Sequence, residues 1–182
     1  SANNQDRRGT ILKKIEGDAR DALILEILNR IDKDTQIVGA EDRINAWELG
    51  WSDAFQRYKN KPVIDSLMPA FIKLDKPVRW HQEFYWPDEE QNELTHFRHM
   101  QGLIGEWLAP CAHISEFGCG TGFNLVALAN RFPEKILTGY DYSQWAVELV
   151  NLVGFSQNMN IGAVLFDMKH PGNDDLCDGV FT

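Results

Sequence analysis

Long apolar runs, paired cysteines and basic clusters are all scarce in this 182-residue sequence. No stretch approaches the ~20 apolar residues that a membrane helix needs, and the start, SANNQDRRGT, lacks the apolar core of a secretory signal, so no membrane association is expected. Cys111, Cys119 and Cys177 are odd in number and show no C-x-x-C spacing. That argues against a disulfide framework or a zinc knot, and the expectation is a cytoplasmic protein with reduced thiols. Bases are outnumbered by acids, 18 to 27, for a net charge of −9, and after Pro110 eight acids face three bases. A general grip on a phosphate backbone depends on Lys and Arg, so nucleic acid is disfavoured and the expected partner is a small molecule. Internal repeats and low-complexity linkers are also missing.

What is present is a hydrophobic content of 43% with six tryptophans, enough for a packed core. The chain is organised around residues 114–129, ISEFGCGTGFNLVALA, where an apolar run meets an acid, three glycines and a helical pattern. Residues 113–117 suit a strand, Gly118, Gly120 and Gly122 a tight loop, and 124–131 a helix through Leu125, Leu128 and Ala129. Glycine permits positive φ and close approach of a ligand to the backbone, while the helix start offers unpaired N–H groups. A dinucleotide fingerprint, G-x-G-x-x-G or A, would need a small residue where Phe123 stands.

Before the loop, apolar spacing predicts a helix over 11–31, firmest from Asp18, and a second over 41–59. In the second, Ile44, Trp47, Trp51, Phe55 and Tyr58 form a stripe expected to be core. Pro62, Pro69 and Pro77 punctuate a turn-rich piece, and residues 78–87, VRWHQEFYWP, read as extended. Asp88 is expected to cap a helix running toward Leu108. After the loop, strands are expected at 136–140 ending at Asp141, at 161–166 ending at Asp167, and at 179–182, with a helix capped by Ser143 between the first two. The βαβαβ alternation implies a parallel sheet with right-handed crossovers.

The run Glu116-Phe117-Gly118-Cys119-Gly120-Thr121-Gly122, with glycines at G-x-G-x-G, resembles the first motif of the class I (Rossmann-like) methyltransferases that use S-adenosylmethionine. The resemblance covers residues 111–182, and the aromatic segment, helix and EFGCGTG together look like a bacterial branch of that family. It implies an α/β fold: the first half of a doubly wound parallel sheet, strand order 3-2-1-4, preceded by a mainly helical N-terminal extension. The domains expected are 1–110, an extension or cap, and 111–182, a partial cofactor-binding domain. The family sheet has seven strands in the order 3-2-1-4-5-7-6. The chain is therefore expected to be C-terminally truncated, to be inactive by itself, and to form a homo-oligomer, if any, through the open sheet edge.

The resemblance also implies a cofactor site of Glu116, Phe117, Gly118, Cys119, Gly120, Gly122, Asp141, Tyr142, Asp167 and Met168. Asp141, 23 residues after Gly118, stands where an acid accepts from ribose hydroxyls, or else it caps the following helix. Tyr142 lies against adenine or packs on the sheet edge. Asp167 accepts from the adenine amino group with the Met168 N–H beside it, or is a surface turn acid. Glu116 lies under the loop and helps hold the methionine end, a role compatible with satisfying loop N–H groups. Cys119 reads as a spacer, since no base is paired with it. His96 and His99 lack further ligands at metal spacing and read as packing or surface residues; His81 and Tyr85 face the choice between packing and substrate contact. No general base stands out. The leading function is a small-molecule methyltransferase; the rivals are a non-catalytic S-adenosylmethionine-binding module and, further off, an NAD-dependent oxidoreductase.

Overall fold

The computed structural model describes residues 13–34, 40–89, 92–167, 169 and 177–182. It divides into two compact units, one of Ser1–Gly39 with Ala70–His99, the other of Ala40–Pro69 with Met100–Thr182.

In the first unit, helix α1 (Gly17–Asp34) begins six residues later than the spacing predicts. Residues 13–16 are extended instead. Ile15 N donates to Phe84 O (2.8 Å) and Trp86 N to Lys13 O (2.9 Å), and Ile15 is fully buried. Gly17, at φ +57°, turns the chain out of this pairing and into the helix; residues 11 and 12 lie outside the described ones. The aromatic segment forms an antiparallel hairpin of β1 (Val78–Trp80) and β2 (Glu83–Tyr85). Its two-residue turn, His81-Gln82, has positive φ at both positions (46° and 69°), the geometry that matches strand twist. Helix α3 (Glu93–Trp107) runs from this unit into the next. Its start is capped by Asn92, whose Oδ1 accepts from Thr95 N (3.2 Å), and not by Asp88 as expected; Asn92 in turn donates to Asp88 O (3.1 Å). His96 stacks on Trp80 with centroids 5.0 Å apart, while His99 is exposed.

The second unit holds a four-stranded sheet of β3 (His113–Phe117), β4 (Ile136–Asp141), β5 (Ile161–Leu165) and β6 (Gly179–Phe181). All neighbours are parallel and the order is β5-β4-β3-β6, so the chain steps outward twice and then returns to the other side of β3. β5 ends at Leu165, leaving Asp167 two residues beyond the strand. β6 is fixed by Asp178, whose carboxylate accepts from Ala112 N (2.8 Å) and His113 N (2.7 Å); these bonds hold it below the usual carboxylate range.

Helices α4 (Phe123–Arg131) and α5 (Gln144–Gln157) cover one face, because Leu125, Leu128, Ala129 and Val150 meet Ile114 and Leu137 there. Ser143 caps α5 as the sequence predicts, its Oγ accepting from Ala146 N (3.3 Å). Helix α2 (Ala40–Asn60), although it precedes Pro110, belongs to this unit. Ala54 and Tyr58 join Val126, Leu149 and Val153 in a second apolar cluster, and Phe55 packs on Trp145 at 5.4 Å. The Tyr58 hydroxyl bonds Ser156 Oγ (2.7 Å) and accepts from Gln157 Nε2 (2.9 Å), so its buried oxygen is paired.

Tyr58 therefore carries the docking of α2. Tyr58→Ala is expected to cost about 3–5 kcal/mol and Tyr58→Phe about 1 kcal/mol, read as shifts in the urea midpoint at constant m-value. Equal, negligible shifts for both would mean that α2 contributes nothing to the sheet unit.

Candidate ligand site at the glycine loop

The loop between β3 and α4 emerges at the carboxyl edge of the sheet, beside β3, where the strand order changes direction. In open parallel sheets this is where ligands bind. Gly118, Gly120 and Gly122 all have positive φ (74°, 50° and 73°), so the loop folds as the glycine spacing requires. It is fastened to the end of β4. Tyr140 O accepts from Gly118 N (2.7 Å) and Cys119 N (3.2 Å). The Asp141 carboxylate, 5% exposed, accepts from Gly120 N at Oδ2 (2.9 Å) and from Ser143 N at Oδ1 (3.0 Å). Thr121 Oγ1 donates to Leu67 O (2.7 Å), closing the other side.

Glu116 lies beneath this loop, 3% exposed. Its Oε1 accepts from Asn124 Nδ2 (2.6 Å), and Asn124 Oδ1 in turn accepts from Gln101 Nε2 (2.9 Å). Its Oε2 is buried and has no hydrogen-bond partner among the described residues. Burial pushes the Glu116 carboxyl up to about 8 and the nearby Asp141 adds to this, against the Asn124 bond. A buried acceptor without a donor is costly, and such an atom calls for a partner that a ligand can supply.

The other expected site residues gather at the same edge. Phe117 stacks on Tyr140 (5.0 Å, 18°), and Phe166 meets both edge-on. Phe166 N donates to Asp141 O (2.8 Å), which brings the end of β5 to the end of β4. Asp167 is exposed and its Oδ1 accepts from Lys169 N (2.9 Å), a turn geometry. Tyr142 is 43% exposed; its hydroxyl is pushed up by partial burial and then by the carboxylates of Asp141 and Glu48. Met168 lies outside the described residues. Cys119 is buried and burial pushes its thiol up, so it stays protonated as a spacer would. Among the described residues, no group of three or more His, Cys, Asp or Glu could hold a metal ion.

Two site residues escaped the sequence reading. Trp51, assigned to the core stripe, lies on the loop: a Cβ at Gly120 would stand 2.8 Å from its Cη2 and 3.0 Å from its Cζ2. Glu48 accepts from Ser143 Oγ (3.0 Å) and so ties α2 to the start of α5. The stripe itself splits, with Tyr58 fully buried and Trp47 46% exposed. Helical spacing identified the face of α2 but carried no information about which part of it meets a loop some 70 residues further on.

No family model matches the chain, and no curated protein does. Solved structures do. Coclaurine N-methyltransferase bound to N-methylheliamine and SAH matches 91% of this chain and 51% of its own, with a TM-score of 0.51 and 14% identity. The StiE O-MT segment matches 46% of this chain and 31% of its own (TM-score 0.41, 22% identity), and the plantazolicin methyltransferase BpumL, in complex with a monoazolic desmethylPZN analog and SAH, 77% and 48% (0.40, 18%). At such identities the likeness is one of fold, and it is the first of these that carries it: the chain has a methyltransferase-like α/β fold. It spans about a third to a half of the length of these structures.

Two expectations follow from the loop. Gly120→Val places a branched side chain at φ +50° and against Trp51, and should destabilise the sheet unit by about 1–3 kcal/mol and shift tryptophan emission; unchanged melting and emission would show the loop to be slack. The second concerns pH. Glu116 ionises near 4.5 when unfolded and at about 8 when folded, so between these values the folded chain holds the extra proton and stability falls as pH rises. Glu116→Gln should remove that part of the slope, matching the parent near pH ~5 and exceeding its stability above pH ~8. Parallel curves for the two would mean that Glu116 is not buried as a neutral acid.

Proposed function

We propose that the chain binds S-adenosylmethionine at the glycine loop and belongs to a methyltransferase acting on a small molecule. The observation that carries this reading is the buried, unpartnered Oε2 of Glu116 beneath a loop of three positive-φ glycines. An ammonium group on the ligand supplies the donor that Glu116 lacks, and a charge-assisted bond stabilises the carboxylate that burial opposes. Asp141 uses one acceptor position on each oxygen for backbone and keeps others for ribose hydroxyls. Tyr142 and Asp167 then stand toward the adenine end. The SAH in the coclaurine N-methyltransferase structure supports the same cofactor class.

When bound, the cofactor supplies a methyl group on a positive sulfur that a nucleophile can displace. This chain's residues orient that group and keep water from it, while Cys119, held as a thiol, takes no part as a nucleophile. The net charge of −9 and the shortage of bases favour a small acceptor over nucleic acid.

Calorimetric titration with S-adenosylmethionine and with NADH tests the reading. Binding of the first alone is expected, with release of about one proton near pH ~7, visible as a dependence of the heat on the buffer's ionisation enthalpy. Glu116→Gln should weaken it about 10- to 100-fold. Preference for the nicotinamide ligand, or undiminished affinity in Glu116→Gln, would overturn the assignment. Methyl transfer to a panel of small amines, phenols and sugars separates an enzyme from a binding module.

A further inference from the structure

Four features of α2 remain after the fold is accounted for. The six-membered ring of Trp51 lies against the middle glycine of the loop, within 3.5 Å of a Cβ position at three of its carbons. Trp51 is stacked on Trp47, one turn earlier, at 5.4 Å and 26°, and Trp47 is half exposed. Neither indole joins the apolar cluster that takes up Ala54, Phe55 and Tyr58 from the same helix, nor the one on the sheet. Between them Glu48 is anchored on Ser143, whose N–H is held by the same Asp141 that holds Gly120. The Trp-Glu-Trp turn of α2 is thus built onto the loop, with an aromatic ring and a carboxylate.

We infer that Trp51 is a wall of the ligand site and that its π face distinguishes the positively charged sulfonium of S-adenosylmethionine from the neutral thioether of S-adenosylhomocysteine. The inference rests on the cofactor reading above and adds to it a residue from outside the glycine motif. An indole face carries negative potential and attracts a cation more than a neutral group of the same shape. With Glu116 beneath the loop to hold the amino end, the sulfur-bearing part of the ligand would adjoin Gly120 and the ring upon it. Trp47 backs the ring, and the Glu48–Ser143 bond keeps the helix turn in register with the loop.

The test is binding of the two ligands to the whole chain and to Trp51→Leu and Trp51→Phe, with Trp107→Phe, an exposed tryptophan of α3, as control. Trp51→Leu is expected to weaken S-adenosylmethionine about five- to tenfold more than S-adenosylhomocysteine, and Trp51→Phe to keep both affinities within about threefold. Ligand should change the tryptophan emission of the parent and of Trp107→Phe, but not that of Trp51→Phe. A folded Trp51→Leu with an unaltered ratio of the two affinities overturns the inference, as does a ligand-induced emission change that survives in Trp51→Phe. If Trp51→Leu does not fold, the emission of Trp51→Phe decides. Failure of the parent to bind either ligand removes the cofactor reading and this inference together, whereas binding by the parent with an unaltered ratio removes the inference alone.

Discussion

The carboxylate of Asp141 joins three pieces of chain: the end of β4, the middle of the glycine loop and the first turn of α5. It accepts from Gly120 N and Ser143 N while almost wholly buried. The loop has few side chains with which to pack, so its shape depends on such bonds, helped by Tyr140 O and by Thr121 on Leu67. Hydrogen bonds buried in this way are stronger than exposed ones and resist exchange with water. Remove that acceptor and the three positive-φ residues lose the geometry that makes them a cradle.

The same closeness sets the character of Glu116. Asp141 has two N–H donors, whereas Glu116 has one amide donor and a second oxygen facing none. Burial pushes the Glu116 carboxyl up and the neighbouring Asp141 adds to this, so Glu116 is held neutral. A cationic group placed there would relieve both the unpaired oxygen and the burial of charge.

Helix α2 gives the cradle its outer side. Its lower half is ordinary core, with Tyr58 and Ala54 sealed against α4 and α5. Its upper half, through Glu48 and Trp51, leans on the loop and on the cap of α5. Rigid docking below fixes the position of the aromatic ring above, so that the apolar cluster and the site are parts of one arrangement.

Much of this was legible along the chain. The strand, glycine loop and helix around Gly118, the Ser143 cap and the acids after β4 and β5 follow from local rules: glycine for positive φ, a hydroxyl for a bare N–H, periods of two or 3.6 for buried faces. Local rules failed where a distant partner outbid them. The spacing before Gly17 is helical, yet Lys13 and Ile15 pair with β2 because the edge of a hairpin offers backbone bonds that an isolated helix start does not. The hairpin itself was hidden, since His81-Gln82 lacks the glycine or asparagine that ordinarily marks such a turn. Asn92 took the cap from Asp88 for want of any rule that ranks two good capping residues four apart. By itself, then, the amino-acid sequence determined the elements near the loop and the chemistry they could offer, because those depend on residues a few places apart. Only the tertiary structure decided that Glu116 would be left one donor short and that Trp51 would lie on Gly120, because both depend on which surfaces of α2, α4 and the sheet exclude water from one another.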